Sequence, residues 1–111
     1  MNIRREKKNG VEVCYVSGEI NIDTVADIKK VFRKVMDDKE KKVILNLEHT
    51  DYIDSLGLST LLAFYKGLEA YGACLALSNI VPKVSTIFRI TKVDRVLCMY
   101  NTEKEAIESF K

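Results

Sequence analysis

The stretch VILNLEHTDYIDSLGLSTLL, Val43–Leu62, joins two different periodicities. VILNL, Val43–Leu47, is too short for a helix of ordinary length and too uniformly apolar for a strand with one wet face. It predicts a central strand covered on both sides. From Leu58 onward, Leu58, Leu61, Leu62, Tyr65 and Leu68 fall on one helical stripe, and Gly72 follows as a stop signal. His49, in EHTDY between the two patterns, reads as an exposed turn residue. Ser55 stands where the helix begins, and its hydroxyl is placed to cap a free amide of the first turn; Asp54 could do the same job.

Working outward, VEVCYVSG, Val11–Gly18, is rich in β-branched residues and reads as a strand, which Asn9–Gly10 can turn back against an earlier, frayed one. In DTVADIKKVFRKVM the apolar residues Val25, Ile28, Phe32, Val35 and Met36 recur at helical spacing. On the other side, ACLAL predicts a strand and VPKVSTIFRI a helix begun by Pro82, with Val84, Ile87 and Phe88 inward. VLCMY predicts a last strand, and TEKEAIESF a helix opened by a Thr102 to Glu105 capping box. Strands alternating with amphipathic helices after a hairpin imply an α/β fold: a mixed, mostly parallel sheet with an N-terminal hairpin and about four helices packed on it. The expectation is a single domain over residues 1–111.

The 111 residues are 47% hydrophobic, enough for one core, and the 18 Lys and Arg nearly balance the 16 Asp and Glu. A net charge of +2 gives no case for wrapping nucleic acid or lying on an anionic membrane. No apolar run reaches the roughly 20 residues of a membrane span, and MNIRREKKNG lacks the apolar region of a signal peptide, so a cytoplasmic protein is expected. Cys14, Cys74 and Cys98 lie among apolar neighbours and are expected to be buried free thiols.

The usual catalytic constellations are missing from the sequence. It contains no GxxxxGK[ST] loop, no GxGxxG, no HExxH and no GxSxG. A Ser55 nucleophile would need a general base, and a carboxylate such as Asp54 is a poor one for a hydroxyl near neutral pH. No enzyme, metal site or cofactor is expected. A phosphoacceptor receiver domain would have a similar layered architecture, but it calls for adjacent acids after the first strand, which VCYVSGEIN does not supply.

Val43–Leu62 resembles the signature of the STAS domain family, in which a strand runs through a short turn into an Asp-Ser-x-Gly-Leu helix start. GEINIDTV, Gly18–Val25, is similar to the family's Gly-Glu-Leu-Asp segment, and the order of elements from Gly72 to Ile107 also agrees. Three positions depart from the family pattern. Asn21 stands where aspartate is common, Leu56 where a small or polar residue is frequent, and ITKV, Ile90–Val93, lacks a glycine often found at the end of the third helix.

With no membrane region in the chain, the resemblance implies a free-standing anti-sigma factor antagonist. Unmodified, such a protein binds an anti-sigma factor with serine kinase activity and frees a sigma factor; phosphorylation ends that binding, and a serine phosphatase would restore it. The matching acceptor is Ser55. The rival within the family is a non-switching adaptor subunit of a lipid-transport or stress-sensing assembly, whose serine is only a cap. The partner surface is expected to combine Asn21, Asp23 and Thr24 with Asp54, Ser55, Leu56, Gly57 and Ser59. Leu56 would be its apolar anchor.

Overall fold

The computed structural model of the protein describes residues 2–111. Five strands form one sheet in sequential order: β1 (Asn2–Lys8), β2 (Val11–Ile20), β3 (Lys42–Ile53), β4 (Cys74–Ser78) and β5 (Cys98–Tyr100). β1 and β2 are antiparallel and all other pairs parallel. Asn9 and Gly10, both at positive φ, close the first hairpin with the two-residue turn whose twist matches paired strands. β1 is not frayed: all seven of its residues pair with β2.

The parallel strands are joined by α1 (Val25–Asp37), α2 (Ser55–Ala70) and α3 (Pro82–Ile90), and α4 (Glu103–Glu108) follows β5. The periodicity explains where they lie. Val25, Ile28, Phe32 and Val35 of α1 meet Leu58, Leu61, Phe64 and Leu68 of α2, and Val84 and Phe88 of α3, over one face of the sheet. On the opposite face Ala106 and Ile107 of α4 pack with Val11, Val13, Ile44 and Ala76. Pro82 opens α3, and the Thr102 hydroxyl accepts from the Glu105 amide at 3.1 Å at the start of α4, as their positions in sequence imply.

The strand read as Val43–Leu47 runs on to Ile53. His49 is exposed as expected, but it lies within β3 and not in a turn. Thr50 is buried there, its hydroxyl donating to the Val16 carbonyl at 2.8 Å, so this polar residue belongs to the sheet. Cys14 is buried and its thiol is pushed up to about 12 by desolvation. Cys74 and Cys98, against expectation, are exposed: each is the first residue of its strand, beyond the cover of the helices.

Candidate functional site

Two register shifts between β2 and β3 bring Ile20 opposite Ile53 where both strands end. The chain therefore leaves both strands at one point on the rim of the sheet. The loop at residues 21–24 leads into α1, and Asp54 leads directly into α2. The Asp54 amide donates to the Ile20 carbonyl at 3.0 Å, extending the pairing one residue past β3.

Asp54, not Ser55, caps α2. Its backbone is extended (φ −96°, ψ −178°), as a cap residue requires, whereas Ser55 is already the first helical residue. One Asp54 carboxylate oxygen, Oδ1, accepts from the Gly57 amide at 2.8 Å, and the other, Oδ2, accepts from the Ile22 amide at 3.1 Å. A single side chain thus fixes the helix start and the neighbouring loop. Within that loop the Asn21 side chain accepts from the Asp23 amide at 2.9 Å, and the Thr24 hydroxyl donates to the Glu19 carbonyl at 2.8 Å. Asn21 and Thr24 are therefore committed to holding the loop, while Asp23 faces solvent.

With the Asp54 carboxylate as cap, Ser55 is left exposed on the first turn, and Leu56 and Ser59 are exposed beside it. Gly57 is different. It is buried, and a Cβ there would stand 2.7 Å from both Ile20 Cγ2 and Ile53 Cγ1 and 2.8 Å from the Ile20 carbonyl oxygen. Its burial gives it a packing role: it lets α2 start against the ends of β2 and β3.

The surface includes apolar side chains that the sequence pattern does not single out. Ile22, 71% exposed, stands in the clipped loop, and Tyr52, 37% exposed, at the end of β3; Leu56 is 38% exposed. An isoleucine between Asn21 and Asp23, after the strand ends and before helical periodicity begins, has no core to enter, and that is the signal available in the sequence. The Lys83 ammonium lies 5.5 Å from the Tyr52 ring centroid, within cation–π range. Glu19, Asp23 and Asp51 are exposed at this end of the sheet. An added phosphate at Ser55 would enter an acidic neighbourhood that already contains Asp54.

The STAS domain model matches residues 2–106. A Thermotoga maritima protein named "Putative anti-sigma factor antagonist" is 30% identical over 102 residues, covering 91% of this chain and 90% of that one. The anti-sigma-B factor antagonist of Staphylococcus aureus is 25% identical over 91 residues, covering 82% of this chain and 84% of that one. A crystal structure of a Thermotoga maritima protein of the same description as the first superposes with a TM-score of 0.90 at 27% identity, covering 96% of this chain and 92% of its own. The chain belongs to the STAS domain family.

Proposed function

We propose that the protein is an anti-sigma factor antagonist: unmodified, it binds an anti-sigma factor with serine kinase activity, and phosphorylation of Ser55 ends that binding. The observation that carries this reading is the Ser55 hydroxyl itself, exposed on the first turn of α2 beside a loop tied to the same turn through Asp54. The names of the relatives support the class of partner. Ser55 is substrate and switch, not catalyst, and a serine phosphatase resets it in the cytoplasm.

The electrostatics favour a switch that acts through binding. Phosphate adds about −1.5 to −2 charges at neutral pH. Its insertion between an acidic rim and a surface fitted to a neutral hydroxyl brings repulsion and desolvation of several kcal/mol. That is a loss of about 100-fold or more in affinity.

The test is a pull-down with the purified chain, followed by incubation of the captured kinase-like protein with ATP and peptide mapping. Phosphate at Ser55, absent from Ser55→Ala, with binding lost on phosphorylation, supports the reading. Phosphate mainly at Ser59, Thr60 or Ser85, or a capture dominated by membrane transporter subunits, sinks it and favours the adaptor reading.

A further inference from the structure

We propose that the cleft between α1 and α2 binds a small amphipathic carboxylate, a role separate from partner binding at Ser55. The cleft has a volume of about 280 Å³ and is lined by Lys29, Phe32, Arg33 and Met36 of α1 and by Thr60, Ala63 and Phe64 of α2. Its origin lies in the sequence. α1 turns long side chains toward α2 at Lys29, Arg33 and Met36, whereas α2 answers with Thr60, Ala63 and Gly67. Long residues facing small ones leave a trough where two equal rows would interdigitate.

An aromatic pair underlies the cleft. Phe32 and Phe64 stack with ring centroids 3.9 Å apart and planes 6° from parallel, each nearly buried in the core. The far end is closed by Met36, whose sulfur would lie 2.5 Å from a Cβ on Gly67. Polar capacity inside is slight, because the Thr60 hydroxyl already donates to the Leu56 carbonyl at 2.9 Å. An apolar body therefore fits the trough.

The rim selects the head group. Lys29 and Arg33 stand one helical turn apart, a like-charge spacing that mildly destabilises an isolated helix. Among the described residues neither forms an ion pair, although Lys34 on the same helix pairs with Asp38. Two uncommitted cations over an apolar trough match an anion with a short hydrophobic tail, and the guanidinium fork suits a carboxylate. The cleft's volume, near the lower limit of small-molecule sites, suits a small ligand. A short or medium-chain fatty acid, or an aryl carboxylate, has the required chemistry.

Sodium octanoate, kept below its micellar concentration, is the probe, titrated into the isotope-labelled full chain and followed by amide shifts. The expected result is a saturable change centred on Phe32, Arg33, Ala63 and Phe64, with octyltrimethylammonium producing none. Lys29→Glu combined with Arg33→Glu, both exposed changes, should weaken octanoate by roughly tenfold or more. Ala63→Phe, filling the trough from the surface side, should abolish the saturable response while circular dichroism stays unchanged. No saturable change up to about 10 mM octanoate, an equal response to the cation, or shifts centred on Ile22 and Leu56 would overturn the proposal. If Ala63→Phe fails to fold, the double charge reversal decides it alone.

Discussion

Asp54 ties the Ile22 amide to the first turn of α2, accepting from Ile22 at 3.1 Å with one carboxylate oxygen and from Gly57 at 2.8 Å with the other. Removal of this side chain takes away a helix cap and a loop anchor together. Asp54→Ala should destabilise the fold by about 1–3 kcal/mol. Asp54→Asn keeps one acceptor and turns an NH₂ toward the other amide, so its loss should be intermediate. Urea unfolding gives the energies, and amide exchange should quicken at both Ile22 and Gly57. Quickening at Gly57 alone would show that the loop holds without Asp54.

Gly57→Ala tests the packing that brings α2 onto the sheet. The new methyl meets two core side chains at 2.7 Å and a backbone oxygen at 2.8 Å, and the oxygen cannot move without breaking the Asp54 to Ile20 pairing. Overpacking of this kind costs about 1–3 kcal/mol. Thermal melts should fall accordingly. A stability equal to the parent would place slack between α2 and β2 that the described geometry lacks.

How much of this was legible in the sequence depends on which residues carry the information. The elements followed from periodicity, and the Asn9–Gly10 turn and the Thr102 cap from local chemistry. The extent of β3 did not, because Glu48, His49 and Asp51 face solvent while Thr50 and Ile53 point inward, and that alternation reads as a polar turn once the strand is taken to end at Leu47. On α2 the stripe of Leu62 and Tyr65 is only half-buried, and Phe64 takes the core position against Phe32. A helix with apolar residues on more than one side does not announce which side faces inward. At the candidate site, the motif singled out Ser55 as the expected acceptor, but the exchange of capping from Ser55 to Asp54 depends on the extended backbone at Asp54, which one sequence cannot specify to a single residue. Lys92, just past α3, takes the left-handed conformation (φ 63°) that glycine favours, so Ile90–Val93 makes such a turn without a glycine.

The apolar pair flanking Ser55 should act on binding and not on folding. Ile22 and Leu56 are both exposed, so Ile22→Ser and Leu56→Asp should each change stability by no more than about 0.5 kcal/mol. Each should weaken the partner complex by well over tenfold if it fills an apolar pocket at the centre of the contact, where truncation costs about 2 kcal/mol or more. Calorimetric titration against the captured partner measures it. Parent-like affinity in both variants would move the interface away from this end of the sheet.

Glu103 links α4 to the hairpin, accepting from Lys8 at 2.8 Å and from the Asn46 side chain at 3.1 Å. Burial opposes its charge, but the hydrogen bonds from Lys8, Tyr15 and Asn46 outweigh that and hold its pKa below the ordinary 4.5. A depressed folded pKa contributes stability that is present above the ordinary carboxyl value and is lost as pH falls through that value toward the depressed one. Glu103→Gln should therefore lower stability at pH 7 and flatten its decline on acidification below about pH 4.5. Melts across that window, compared with the parent, read the difference directly. An unchanged acid slope would assign the loss to other carboxylates.

The cap and the proposed switch occupy adjacent residues, Asp54 and Ser55, and can be separated. Because Asp54 caps α2, Ser55→Ala should leave stability within about 0.5 kcal/mol of the parent, whereas a capping serine would lose about 1 kcal/mol. Phosphate on Ser55 should also leave the fold in place. An anion in the first turn of a helix is favoured by about 0.3–1 kcal/mol, and the neighbouring Asp54 carboxylate offsets part of that. The repulsion acts on the carboxylate that holds the Ile22 loop, so amide exchange at Ile22 should rise while the strands and α2 remain protected. Binding is a different matter under the proposed function, in which the same charge enters a contact surface where desolvation is severe, and affinity should fall by about 100-fold or more. Melting curves, amide exchange and calorimetry on the unmodified and phosphorylated chain give the three readings. A phosphorylated form that binds its partner as well as the parent does, or that melts many degrees lower, is incompatible with a switch carried by the surface around Ser55.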